Sequence, residues 1–231
     1  MTGDPVPAKS KSVFGHVELH PTSSLTFDGG IRYTNEEKQY TFVRLRPDLS
    51  GPAPVVGSLN GVTGRFKGNH VDYRLAASLK ITRDLMTYAQ FSTGFKGGGI
   101  NPRPFIAAQV QPFGPETLDA YEIGFKGELF DRRLRLNLSA FYNKYNNIQL
   151  TVFSCPQFSP SPTFPCFAPL NGGDANVKGI EAELNARPTD ALSIDASLSY
   201  LAFQYTRIDP NVGTPGGRGV QLGNALRRVL L

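Results

Sequence analysis

The chain has no tryptophan, and its 231 residues include only two methionines, three histidines and two cysteines. So few His and Cys leave little for a structural metal, which usually takes four ligands, and little to activate a serine nucleophile. No apolar run approaches the roughly 18 residues of a membrane-spanning helix, so a helical membrane protein is excluded while a strand-built one is not. The net charge is a mild +5 with no cluster of five basic residues, so the footprint of a nucleic-acid binder is missing. The opening MTGDPVPAKSKS has no apolar stretch of the export-signal kind, so no signal peptide is expected in this chain. Abundance lies elsewhere. With 24 Gly, 18 Pro, 16 Phe and 9 Tyr, the chain has many turns and enough aromatic surface to oppose disorder.

The informative feature is a period of two. Val13, Val17 and Leu19 alternate with His16, Glu18 and His20; after Pro21 the pattern resumes with Leu25, Phe27, Ile31 and Tyr33 against Thr26, Asp28, Arg32 and Thr34. The unit recurs with runs 71–79 and 85–95 about Thr82-Arg83-Asp84, and with runs 121–129 and 134–142 about Asp131-Arg132-Arg133. A last copy sets Ile180, Ala182 and Leu184 against Lys178, Glu181 and Glu183, then turns at Pro188-Thr189-Asp190 into the run 192–200. Such alternation marks strands with one apolar and one polar face.

Long irregular stretches separate these hairpins, roughly 44–69, 97–116 and 151–175. Loops of that length are unusual in a compact soluble domain, whereas tight turns at one end and long loops at the other are the pattern of an outer-membrane barrel. About ten residues at ~3.3 Å, tilted near 45°, rise about 23 Å, which matches the apolar band of such barrels. Tyr33, Tyr121, Tyr142 and Tyr200 fall near strand ends on the apolar side, where interfacial rings gather.

Several stretches carry a family resemblance. LMTYAQFSTGFKGGGIN (85–101) resembles a strand-and-loop segment of TonB-dependent outer-membrane receptors. PETLDAYEIGFKGELFDRRLRLNLSAFYNKYNNIQL (115–150) is similar to their PE…YE-G-K…DRL…AFY hairpin, and NGGDANVKGIEAELNARPTDALSIDASLSYL (171–201) to the hairpin after it. FGHVELHPTSSLTFDGGIRYTNEEK is similar to the hairpin before these. The fold this implies is all-β: an antiparallel transmembrane β-barrel, here about eight strands of a larger 22-strand type. The resemblance implies a Gram-negative outer-membrane location and active uptake of a scarce ligand, an iron–siderophore complex first of all. It implies no chemistry on the substrate and no cofactor. The implied partners are outer-membrane lipid, a plug domain and the TonB energy-coupling protein. The expected organisation is an unstructured segment 1–12, a barrel region 13–205, and a loop and truncated tail 206–231, the whole reading as a fragment that lacks plug and closing strands. Two alternatives stay open: a complete eight-strand structural barrel, and a soluble β-rich binding module such as a lectin.

Candidate sites are few. His16 and His20 spell H-x-x-x-H, but on a strand they lie about 13 Å apart, too far to share a metal. Cys155 and Cys166 flank a Pro- and Phe-rich segment and fit a disulfide in an oxidising compartment better than a metal site. By elimination the ligand-contact candidates are loop residues: Arg103 and Phe105 in the second long stretch, and Phe153, Phe158, Phe164 and Phe167 in the third. A cation among rings suits an aromatic, anionic siderophore. Tyr121, Glu122 and Lys126 of the family-like YEIGFK motif are assigned to the lumen wall, the charged pair hydrating the interior and setting register.

Overall fold

The computed structural model describes residues 4–46, 48, 50–54, 56–153, 155–158, 165–209 and 227–230. The alternating runs form β1 (Ala8–Leu19), β2 (Leu25–Thr41), β3 (Thr63–Lys80), β4 (Leu85–Lys96), β5 (Gly99–Ile100), β6 (Pro112–Phe113), β7 (Glu116–Leu129), β8 (Leu134–Val152), β9 (Ala168–Thr189), β10 (Leu192–Ile208) and β11 (Arg227–Leu230). Nine of them make one sheet in the order β1-β2-β3-β4-β7-β8-β9-β10-β11, while β5 and β6 pair separately. Every pairing is antiparallel. The tight turns are locally built: the Thr22 hydroxyl, for one, accepts the N–H of Ser24 (3.3 Å) and Leu25 (3.0 Å).

Register turns the alternation into two faces. Across the sheet, Val17, Gly29, Leu75, Phe91, Tyr121 and Tyr142 are successive partners in one row, and Leu19, Phe27, Ala77, Ala89, Ile123, Ala140, Ile180 and Tyr200 in the next. The opposite face carries Asp28, Gln90 and Glu122 in one row and Met86, Lys126, Asn137, Glu183 and Ser197 in another. No second layer of described residues covers the apolar face: Ile123 is 62% exposed and Leu75 60%. A patch of that extent is not stable against water; against hydrocarbon it is the low-energy surface. The lectin-like alternative fails here, since it needs the greasy face shielded by protein.

The closed eight-strand alternative fails too. Among the described strands β1 pairs with β2 alone, so the sheet is open. An open edge leaves backbone groups unpaired, which hydrocarbon does not tolerate.

The rings trace the incline of the strands. Tyr33 stands two rows above Phe91, Tyr121 and Tyr142, Tyr73 one row above them, and Tyr200 one row below. A level girdle must step through the register in this way if the strands tilt. From Leu25 to Tyr33 the tilted strand climbs about 20 Å, close to the apolar thickness of such barrels. Tyr121 is therefore not lumen wall. Residues 121 and 122 point to opposite faces, and Tyr121 packs in the apolar row with its ring centroid 4.9 Å from Phe91 and 6.3 Å from Tyr142. Lys178 likewise shares its face with Ile180, not with Glu181 and Glu183.

The longest strands far outrun the apolar band: β3 has 18 residues, β8 19 and β9 22. Parts of the expected loops, such as 63–69 and 168–175, are thus strand. Above the membrane neither face meets lipid, so the hydropathy alternation fades while backbone pairing continues. The same holds for 8–12, expected to be unstructured, where Lys9, Ser10, Lys11 and Ser12 pair with Glu37, Glu36, Asn35 and Thr34. At the other end the strand β10 runs to Ile208 and β11 lies within the expected tail.

Leu138→Arg, near mid-strand on the apolar face, is expected to lower stability in lipid vesicles by about 2–4 kcal/mol, while Ser139→Arg on the polar face stays within about 0.5 kcal/mol. Urea titration read by heat-dependent gel mobility checks the pair. Equal losses would mean that the apolar face does not meet lipid.

Candidate functional site

The polar face carries an organised feature where β4 meets β7. Gly124 sits between Glu122 and Lys126 on that face, and a Cβ there would lie 2.3 Å from the ring of Tyr88 on the neighbouring strand. The missing side chain lets the ring lie across the strand. Its hydroxyl then donates to Glu122 (2.5 Å), which also accepts from the Gln90 amide (2.9 Å), while the Lys126 ammonium stands 5.6 Å from the ring centroid. Glu122 and Lys126 are thus linked through Tyr88 and are not an ion pair. A cavity of about 190 Å³ beside them is also lined by Asn137, Glu181 and Glu183. The wall here is acidic. His16 and His20 are apart from one another: His16 bonds Asp28, and His20 bonds Glu18 (2.7 Å) and Thr26 (3.0 Å).

At the loop end, side-chain amides bind the loops together. Gln149 donates to the carbonyls of Lys96 (3.3 Å), Gly97 (3.1 Å) and Gly114 (3.0 Å), and Asn171 to those of Gly114 (3.0 Å) and Asn147 (2.9 Å). These two residues clamp the base of the second loop to β8 and β9. Higher up, Gln109 is fully buried: its oxygen accepts the Phe105 N–H (2.8 Å) and its nitrogen donates to the Pro165 carbonyl (2.8 Å) in the third loop. Buried Asn101 donates to the Gln109 carbonyl (3.0 Å) and accepts the Arg103 N–H (3.0 Å). On the other side, Ile100 of β5 packs over Gly64, where a Cβ would come within 2.5 Å of it.

The third loop has its own small core. A β-bulge in β8 leaves Asn147 in the left-handed region (φ 55°), a conformation Asn accepts more readily than most residues. Cys155 and Cys166 are joined as a disulfide with Cα atoms 5.9 Å apart, and both are buried with Val152 and Ala168.

Of the six loop candidates, three come together. The Arg103 guanidinium stands 5.1 Å from the Phe167 ring centroid, and Phe153 meets Phe167 edge-on at 5.3 Å. Arg103 is exposed and Phe153 is 68% exposed, so the cluster faces solvent. Phe105 is exposed on the same loop as Arg103, Phe158 packs into the core around the disulfide, and Phe164 lies outside the described residues. Sequence reading missed Gln109, Gln149 and Asn171, because side-chain amides that hold loops together carry no periodic signal.

A second clamp ties the N-terminus to the first loop. Asp4 accepts hydrogen bonds from Tyr40 (2.9 Å), the Val43 N–H (2.9 Å) and Arg44 (2.7 Å). Burial alone would push its carboxyl up, but those three donors and the Arg44 charge together hold it below the usual carboxylate value.

Residues 2–229 match the family model described as TonB dependent receptor-like, beta-barrel. The chain is 24% identical over 204 residues to the probable TonB-dependent siderophore receptor PiuA of Acinetobacter baumannii, covering 86% of this chain and 24% of that protein. It is also 24% identical over 183 residues to the metal-pseudopaline receptor CntO of Pseudomonas aeruginosa, covering 79% of this chain and 23% of the receptor. Among solved structures, the ferric yersiniabactin uptake receptor FyuA of Yersinia pestis superposes with a TM-score of 0.69 at 21% identity, over 95% of this chain and 30% of that one. The chain therefore spans about a quarter of the length of the curated relatives it matches.

Gln109→Ala strands the Phe105 N–H and the Pro165 carbonyl, a local cost of about 1–3 kcal/mol. Hydrogen exchange by mass spectrometry should speed up in both 99–113 and 165–170; a response confined to the second loop would show that the two loops are independent. The Asp4 clamp gives a pH signature. Its folded pKa lies below the unfolded value, so its contribution is complete above about pH 4 and is lost as pH falls through the lowered folded value. Corrected exchange at Thr41 and Val43 should quicken only in that acid range, and Asp4→Asn should abolish the dependence.

Proposed function

We propose, from the premise that the chain belongs to the TonB-dependent receptor-like β-barrel family, that it builds wall and rim of an outer-membrane receptor importing an iron–siderophore complex. The family consists of outer-membrane receptors and transporters, and its members are not enzymes. The observation that carries the cargo reading is the Arg103–Phe167–Phe153 cluster, exposed at the loop end and held by a buried amide and a disulfide. A guanidinium over a ring pairs with anionic oxygens while the rings stack on a flat aromatic chelator. The relatives named for a siderophore and for metal–pseudopaline support a metal chelate as the class of ligand.

In this reading the polar wall of Glu122, Lys126, Glu181 and Glu183 faces a plug domain across water. TonB would supply the energy for uptake, and lipid would cover the apolar face.

The test is calorimetric titration of ferric catecholate and ferric hydroxamate chelates into the receptor carrying Arg103→Ala or Phe167→Ala. Each variant should weaken binding of an anionic aromatic chelate about tenfold, the size of a partly desolvated cation–ring contact. Unchanged affinity for every chelate would remove this cluster from the binding site.

A further inference from the structure

We infer that the apolar face carries a built site for a phosphate-bearing lipid of the outer leaflet, with Lys178 at its head and a groove between β7 and β10 as its acyl channel. The inference rests on the membrane-wall reading above. Lys178 projects from the greasy face, opposite Tyr142 on β8 and Ala202 on β10, and is exposed. It stands in the ring row itself, directly above Ile180 and Ala182 on its own strand. Among the described residues it has neither an ion-pair nor a hydrogen-bond partner.

Its neighbours on that face offer it no counter-charge. One row higher, Asp119 is the register partner of Lys144, and Lys144 that of Asn176. Asp174 is held in a two-pronged pair with Arg207, at 2.7 and 3.1 Å. Asp174 is thus committed to Arg207, and neither carboxylate pairs with Lys178. Glu181 and Glu183 lie on the opposite face and cannot reach it through the sheet.

Below Lys178 the same strands form a trough. A groove of about 420 Å³ is lined by Ile123, Leu138, Ala140, Ile180, Ala182 and Leu198. Ala140 and Ala182 form its floor where larger side chains flank them, a shape that suits a hydrocarbon chain more than a flat bilayer contact. A lysine at the head of an apolar trough, with Tyr142 beside it, matches a headgroup phosphate above an acyl tail. The long loops rise from this end of the strands, so the site faces the leaflet on the loop side.

The experiment compares retention of lipid by the folded receptor that contains this chain after reconstitution into phosphatidylethanolamine vesicles containing diphosphoryl lipid A, or its dephosphorylated form, read by native mass spectrometry. The wild-type receptor should retain the diphosphoryl form preferentially. Lys178→Gln should cut that preference about fivefold, the effect of one cation at an anionic lipid surface, and Lys9→Gln on β1 should leave it unchanged. Ala182→Phe, which fills the trough, should lower retention of both forms. If Lys178→Gln keeps the full phosphate preference, the site is overturned while the wall reading stands. If the wild-type receptor gives no heat-modifiable folded form in any vesicle, the wall reading itself fails, and this site with it.

Discussion

Antiparallel backbone pairing is the constraint on which everything else in this chain depends. In hydrocarbon an unpaired N–H or carbonyl costs several kcal/mol, so each strand must find a partner along its whole membrane length. Once β2 and β3 lock from Leu25–Leu79 to Thr41–Thr63 without a break, the facing of every side chain between them is decided. Phe27, Ile31 and Tyr33 then have no choice but lipid, and Asp28 and Arg32 no choice but the aqueous side. A slip of one residue would invert both sets at once. The hydropathy pattern is thus both the consequence of pairing and the device that holds it in register.

The same constraint explains where pairing is relaxed. Register shifts occur in β8 beyond Tyr145 and in β10 between Tyr205 and Arg207, above the ring row, and in β10 between Leu192 and Ile194, beside the tight turn. There water, or a side chain such as Asp174 accepting the Asn147 N–H at 2.9 Å, can satisfy what the ladder leaves open. Within the membrane a hydroxyl can supplement the ladder, as where Thr87 donates to the Gly124 carbonyl at 3.0 Å.

Legibility in the sequence follows this division. The hairpins, their turns and the two faces were readable because a buried-or-lipid face imposes period two on 71–79, 121–129 and 192–200 alike. Strand ends were not. Residues 8–12 and 168–175 pair as strand in a zone where neither face meets lipid, so nothing in their hydropathy distinguishes them from loop. The placement of Tyr121 on the lumen wall came from treating a motif as a unit, when adjacent residues of a strand cannot share a face. Gly124 was visible but its purpose was not: only the pairing of β4 with β7 brings Tyr88 over it. Arg103, Phe153 and Phe167 were picked for their chemistry. That they meet depends on Gln109 reaching Pro165, a contact 56 positions apart in the chain.

The rim and the wall therefore differ in how they respond to a ligand. The wall is a continuous ladder, stiff because breaking one bond strands its neighbours. The rim is a set of loops joined by a few side-chain amides, in which Gln149 and Asn171 fix the base of the second loop and Gln109 its crown. Removing Gln109 would free the crown while the base stays put, since the two clamps share no atoms. A ligand pulling Arg103 away from Phe167 would act on that crown alone. The disulfide and its small core of Val152, Ala168 and Leu170 would hold the third loop as a fixed anvil. Motion on binding is then expected of the second loop against the third, with the membrane-spanning sheet beneath unchanged.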